Sequence, residues 1–273
     1  MPELTDLFRA EFSRTKKSLG QHFLTNPHFL KEIAAAAIVT EGEAAVEIGF
    51  GSGALTQELY KRTDNLTVID IDDNAAAFLE KHKERFFPKI RIIHADLLNV
   101  DLSSLYGGKF AVAGNLPYNA AVKILEHCTK YTERVERMIF MFQKEVAARI
   151  SARPGKKDYS SLSVFAAYHY DITKLRDISG SNFWPNASVM SALLSFTPKK
   201  QRLLPAGEEE RFFSMVRGAF RLKRKTLRNN LKTIQILPEI LAEMGLSQSV
   251  RAEELSLNDF VNIYILREHL FEI

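Results

Sequence analysis

Short apolar runs alternate with helical patterns through the first two thirds of the chain, and this alternation restricts the fold more than any other feature. Ala44–Ile48, Leu66–Ile71, Ile90–His94, Lys109–Ala113 and Met138–Phe142 read as strands rich in apolar and β-branched residues. Several are separated by helical patterns such as Ala54–Arg62 and Asn74–Arg85. Strands spaced by helix-length segments imply a mostly parallel sheet wrapped by helices, an α/β fold. Beyond the charged loop Arg153-Pro154-Gly155-Lys156-Lys157, Leu162–Tyr170 and Ser188–Phe196 read as two further strands. Thr197-Pro198-Lys199-Lys200 then breaks the pattern, and Glu208–Phe220, Lys223–Leu231, Leu237–Met244 and Ser256–Leu270 all favour helix. The expected organisation is an α/β domain over residues 1–198 and a small all-helical domain over 199–273.

Composition narrows the partners. With 273 residues, 46% of them hydrophobic, the chain can build a real core. No run approaches the roughly 18 consecutive apolar residues of a membrane span, and Met1-Pro2-Glu3-Leu4-Thr5-Asp6 lacks a basic-then-apolar leader, so a cytoplasmic location is expected. The single cysteine, Cys128, excludes an internal disulfide and any cysteine-based zinc cluster; its place in the pattern of Val122, Ile124 and Leu125 makes it a core thiol. The seven histidines show no metal-ligand spacing, so no metal is expected. The net charge of +4 is modest, but its distribution is not. From Arg217 to Lys232 there are seven basic residues and no acidic one: Arg217, Arg221, Lys223, Arg224, Lys225, Arg228 and Lys232. Phe213, Val216, Phe220 and Leu227 interleave at near-helical spacing, which reads as an amphipathic helix presenting a positive face to a polyanion. A second basic group, Arg9, Arg14, Lys16 and Lys17, lies near the amino terminus beside Phe8 and Phe12 and reads equally well as a solvated helix face.

Val46-Glu47-Ile48-Gly49-Phe50-Gly51-Ser52-Gly53-Ala54 is a strand running through a glycine-rich turn into a helix. Glycines there let the backbone approach a nucleotide-like ligand, and the helix start offers free N–H groups. Gly49, Gly51 and Ala54 also satisfy a loose dinucleotide fingerprint, so a nicotinamide enzyme is a competing reading. Asp70, 19 residues past Gly51 at the end of the next strand, suits ribose hydroxyls in either case. Glu47 before the first glycine and Asp96 after the third strand tip the choice toward S-adenosylmethionine. Acids at three consecutive strand ends match a methionine amine, a ribose and an adenine amine in turn. Each acid taken singly is also an ordinary helix cap.

Asn115-Leu116-Pro117-Tyr118 follows the apolar run Phe110-Ala111-Val112-Ala113 and a loosening Gly114. It presents an amide, backbone carbonyls and an aromatic ring together, a set that suits the exocyclic amine of a base. Pro117 sets φ and removes a donor, which stiffens the turn. Asn and Pro are common in turns of no chemical role, so the tetrapeptide gains meaning from its neighbours.

With these residues assembled, the chain resembles the small-subunit ribosomal RNA adenine dimethyltransferase family over nearly its whole length. Lys17-Ser18-Leu19-Gly20-Gln21-His22-Phe23-Leu24 is similar to the opening motif of that family, the segment from Glu47 to Thr56 to its glycine loop, and Asn115-Leu116-Pro117-Tyr118 to its active-site signature. Arg224–Leu231 and Arg251–Ser256 are similar to its carboxy-terminal motifs, which help to separate that family from methylases of large-subunit RNA.

The resemblance implies a Rossmann-like class I S-adenosylmethionine-dependent methyltransferase with a helical RNA-binding domain. Cofactor contacts would come from His22, Leu24, Glu47, Gly49, Gly51, Asp70, Asp96 and Asn115, with residues 1–40 contributing. The base would stack between Tyr118 and Phe183, its N6 amine held by Asn115 and the Leu116 carbonyl next to Pro117. RNA phosphates would meet Arg221, Lys223, Arg224, Lys225 and Arg228. The implied substrate is two adjacent adenosines near the 3′ end of small-subunit RNA in an immature ribosomal subunit, and the implied state is a monomer. Three departures stand out: His22 where the family has Asn, Phe183-Trp184-Pro185-Asn186-Ala187-Ser188-Val189 with one proline of the usual three, and Ser160-Ser161 where Gly-Arg is expected after Tyr159. The alternatives are a nicotinamide oxidoreductase, a large-subunit RNA methylase, and a non-catalytic assembly factor on the same fold.

Overall fold

The computed structural model describes residues 4–12, 22–117, 119–205 and 207–271. It divides into two compact units, 1–147 with 172–198 and 148–171 with 199–273.

The chain begins with helix α1 (Leu4–Glu11), the short strand β1 (Phe23–Leu24) and helix α2 (Pro27–Ala37). Asn26 caps α2 by accepting from the His28 amide at 3.0 Å. Then β2 (Ala45–Ile48), α3 (Ala54–Tyr60), β3 (Leu66–Asp70), α4 (Asp73–Phe86), β4 (Arg91–His94), β5 (Phe110–Asn115), α5 (Ala121–Cys128) and β6 (Val135–Gln143) follow in the expected alternation. After α6 (Lys144–Ile150) and α7 (Ser161–His169) come β7 (Tyr170–Ile178), β8 (Phe183–Trp184) and β9 (Ser191–Pro198). The main sheet has the order β4-β3-β2-β5-β6-β9-β7. From β4 to β6 every pairing is parallel, with Val46 opposite Thr67 and Val112, while β9 runs antiparallel to β6. The strands of the middle are apolar on both faces; Val46, Val68, Val112 and Phe140 have no accessible surface. The chain runs outward from β2 to β4 and returns to β5 on the other side of β2. That reversal opens a crevice beyond the carboxyl ends of β2 and β5, where ligands bind in sheets of this kind.

Gly114 does not loosen a turn, as its sequence position suggested; it is a residue of β5. A side chain there would place Cβ 2.6 Å from the Ile48 carbonyl and 2.9 Å from the Leu116 side chain, so glycine lets β5 lie close to the end of β2.

Of the segment 162–170, expected to be a strand, residues 162–169 belong to helix α7 and only Tyr170 is a strand residue, the first of β7. The segment's nearly continuous apolar run carries no strand alternation, and the Ser160 amide donates to Ser163 Oγ at 3.0 Å across the first turn, which favours helix initiation. Val164 and Tyr168, four apart, bury into a core with Phe212, Phe213 and Val216. Residues 148–171 therefore belong to the second unit and not, as the expected boundary at 198 had it, to the first. One of the unexpected serines, Ser160, is thereby assigned to the start of α7.

The second unit continues with α8 (Glu209–Ala219), α9 (Leu227–Asn230), α10 (Leu237–Glu243) and α11 (Leu257–Phe271). The expected basic amphipathic helix is interrupted: α8 stops at Ala219, and Arg221, Lys223, Arg224 and Lys225 lie exposed in turns. Asn230 causes the break. Its Nδ2 donates to the Ala219 carbonyl at 2.7 Å and to the Leu222 carbonyl at 3.1 Å, and its Oδ1 accepts from the Leu222 amide at 3.2 Å. A side-chain amide thus satisfies backbone groups that a helix would have paired. Thr226 then caps α9, accepting from the Asn229 amide at 3.3 Å.

Candidate active site

At the carboxyl edge of the sheet lies a cavity of about 380 Å3 whose lining includes Gly49, Gly51, Asp70, Asp96, Asn115 and Leu116. Strand register brings these together: the ends of β2, β3 and β5 are neighbours, and Asp96 follows β4 by two residues. Gly51 has φ +50°, and a Cβ there would lie 2.5 Å from the Phe23 ring, so glycine is required both for the turn and for the close packing of β1 over it.

Both oxygens of Asp70 are engaged by the main chain, Oδ2 by the Gly51 amide and Oδ1 by the Asp72 amide, each at 3.0 Å. Burial raises the Asp70 pKa, and those two amides oppose the rise. The carboxylate is locked in direction and keeps lone pairs toward the cavity. Asp96 accepts from the Leu98 amide at 3.0 Å and caps a short 3₁₀ turn, so one residue both caps that turn and lines the cavity.

Glu47 is 1% exposed, and its Oε2 has no hydrogen-bond partner. Burial pushes its pKa up to about 8; the neighbouring Thr56 hydroxyl works against that shift and the charge of Asp70 adds to it. A second void of about 30 Å3, near the volume of one water molecule, is lined by Glu47, Ser52 and Asn115 among others. The unpartnered Oε2 beside such a void leaves an acceptor site open to a hydrogen-bond donor. With Asp70, Asp96 and the apolar Ile71 and Leu97 around the larger cavity, the donor and acceptor set fits S-adenosylmethionine.

Asn115 closes β5, and its Nδ2 donates to the His22 carbonyl at 2.8 Å. With the NH2 group held there, Oδ1 is left to accept. The Pro117 carbonyl is occupied by the amides of Ala120 and Ala121, each at 3.0 Å, which starts α5. Of the Leu116 and Pro117 carbonyls, Leu116 thus remains the better acceptor. Tyr118 lies outside the described residues, as do Arg14, Lys16 and Lys17 of the amino-terminal basic group.

His22 lines the large cavity, and its Nδ1 donates to the Pro185 carbonyl at 3.0 Å. The two departures at His22 and Trp184-Pro185 therefore touch each other. Antiparallel β1 and β8 pair Phe23 with Trp184 and Leu24 with Phe183. The Phe23 and Trp184 rings stack at 6.1 Å and 20°, and the Arg9 guanidinium lies 5.6 Å from the Trp184 ring centre. Phe183 is 2% exposed, packs into the core and does not line the large cavity; Leu24, 3% exposed, lines only the smaller one. Arg228 is exposed on α9, and Arg221, Lys223, Arg224 and Lys225 are exposed on the turns before it.

Sequence reasoning missed Ile71, Asn119 and Lys123, all of which line the large cavity. Ile71 had a signal: an apolar residue directly after a strand-end acid, here left 54% exposed. Nothing in the sequence distinguished Lys123 from other surface lysines. Among the described residues no group of acids, histidines or cysteines could hold a metal ion, and no helix is long and apolar enough to cross a membrane.

The chain is similar to the ribosomal RNA small subunit methyltransferase A of Geobacter metallireducens, 37% identical over 262 residues that cover 92% of this chain and 95% of the relative. Among solved structures, a dimethyladenosine transferase from Plasmodium falciparum superposes with a TM-score of 0.78 at 22% identity, over 91% of this chain and 98% of the other. The 23S rRNA methyltransferase ErmE follows at 0.69 and 23%, over 90% and 99%; at these identities both attest the Rossmann-like methyltransferase fold. The model of the ribosomal RNA adenine dimethylase family matches residues 12–268, and with the relative's identity over nine tenths of its length this shows that the chain belongs to that family.

Proposed function

We propose that the protein transfers methyl groups from S-adenosylmethionine to the N6 amines of two adjacent adenosines in a loop near the 3′ end of small-subunit ribosomal RNA, two methyls per base. The observation that carries this reading is the convergence of Asn115 with Gly49, Asp70 and Asp96 on one cavity. The cofactor supplies, when bound, a methyl group made electrophilic by a sulfonium. Glu47 would meet the methionine amine, Asp70 the ribose hydroxyls, Asp96 the adenine amine, and Ile71 with Leu97 the adenine ring.

Asn115 Oδ1 and the Leu116 carbonyl accept the two N6 hydrogens of an adenosine extruded from its stack, which directs the nitrogen lone pair. His22 holds the Asn115 amide through its carbonyl, so Oδ1 faces its task without reorganising. Rate enhancement comes chiefly from fixing nucleophile and methyl in near-attack geometry. The aromatic plates would be Tyr118 and Phe183, the latter after leaving the packed position it holds here. Arg221, Lys223, Arg224, Lys225 and Arg228 contribute phosphate contacts.

Small-subunit RNA incubated with the protein and S-adenosylmethionine should gain mass in methyl units located on adenosine N6. RNA of unchanged mass would overturn the assignment, and a gain only on large-subunit RNA would redirect it. The 37% identity to a relative named for small-subunit RNA supports the first outcome.

A further inference from the structure

The second unit holds a cavity of its own, about 380 Å3, which is the volume of the cavity at the sheet edge. That is at the low end of small-molecule sites, roughly 300–1,000 Å3. Arg228 and Lys232 line it four residues apart, with the side-chain amides of Gln235 and Gln248 and a smaller apolar part to which Pro238, Ile234 and Leu237 contribute. Ile234 and Leu237 are otherwise buried, at 7% and 1% exposure. Gln248 is anchored: its Nε2 donates to the Pro238 carbonyl at 2.8 Å, which leaves its oxygen to accept. Arg211 and Arg267 pair with Glu268, whereas Arg228 and Lys232, like the cations of the loop before them, have no acidic partner among the described residues.

Cations, amides able to give and accept, and a smaller apolar part match the three parts of one nucleotide: phosphate, base edge and base face. In an A-form duplex the Watson–Crick edges are paired and the major groove is too narrow for side chains, so the amides have most to bond on an unpaired base. Thr226 is both a lining residue and the end of the loop that carries Arg221, Lys223, Arg224 and Lys225, so phosphate contacts along that loop lead a strand to the cavity. We infer that this cavity binds a single unpaired nucleotide of the RNA, distinct from the adenosine that is methylated. The inference rests on RNA being the substrate.

The test uses the full chain and two RNAs of equal length, one carrying an unpaired loop from the small subunit and one fully paired. Gln235→Ala with Gln248→Ala should weaken binding of the looped RNA on the order of 10-fold, leave the duplex unaffected, and leave the salt slope unchanged because no phosphate contact is lost. Arg228→Ala with Lys232→Ala should flatten the slope on the looped RNA by about 1.4. Cofactor affinity and thermal unfolding establish that each variant is folded. Wild-type affinity of the amide variant for the looped RNA, or an equal loss on both RNAs, overturns the nucleotide site. Methyl transfer separates this from the broader reading. A wild-type protein that methylates while the amide variant keeps its KM loses the cavity alone. Absent methylation with the amide effect intact removes the methylation reading and keeps the cavity.

Discussion

Two cavities of about 380 Å3 have opposite chemistry. The one at the sheet edge is walled by strand ends, a glycine turn and carboxyl groups held by main-chain amides. The one among the helices is walled by a four-residue helix, turns, two cations and side-chain amides. In the first, burial raises the pKa of Asp70, and in the small void that shares Gly49 and Asn115 with it burial takes that of Glu47 to about 8. In the second, the cations are exposed and act through a field that salt screens. A small ligand with a fixed pattern of donors suits the first arrangement, and a flexible polyanion suits the second.

That contrast can be broken most sharply at Asn115. On the proposed assignment of Oδ1 to the base, Asn115→Ala should lower methyl transfer on the order of 10²-fold or more, while cofactor affinity by calorimetry changes far less. Comparable loss of both would move Asn115 to the cofactor side. Gly114→Ala should destabilise the protein by about 1–3 kcal/mol in denaturant unfolding, through the clash with the Ile48 carbonyl. An unchanged midpoint would mean β2 and β5 can separate there.

Glu47 gives a prediction with a sign. Its folded pKa of about 8 lies above the ordinary 4.5, so the folded protein holds this proton more tightly than the unfolded chain. The carboxyl carries no penalty below the ordinary value and destabilises increasingly as pH rises from there through about 8. Cofactor-free Glu47→Gln should therefore melt higher than the parent at alkaline pH, with the gap closing in acid, and should bind S-adenosylmethionine more weakly. A gap that does not depend on pH would refute the buried-proton account. Replacing Arg221, Arg224 and Lys225 with alanine should flatten the salt dependence of RNA binding by about 2, with cofactor affinity untouched. Smallest of all, Asn230→Ala should cost about 1 kcal/mol of stability, seen as faster amide exchange at Leu222.

Much of the first unit was legible. Strand runs, the glycine turn and the acids at successive strand ends are local patterns, and the sheet places Gly49, Asp70, Asp96 and Asn115 together as parallel register requires. Legibility failed where an apolar run had no period, as at residues 162–170, and where one side chain redirected a backbone. The seven positive charges predicted a continuous helix because periodicity does not register that Asn230 can cap Ala219 and Leu222 from eight and more residues away. Phe183 was expected at the base but is buried opposite Leu24, a consequence of β1 and β8 pairing across the chain.

By itself, then, the sequence determined the alternating α/β plan, the strand-end acids and the Asn115-Leu116-Pro117-Tyr118 signature, since each depends on spacing within a few residues. Tertiary structure alone decided that Glu47 is buried with its Oε2 unpartnered, that the Asn115 amide is held by His22 from 93 residues away, and that His22 reaches Pro185 across 163. Desolvation and long-range hydrogen bonds depend on which surfaces meet in the fold, and one-dimensional spacing does not carry that information.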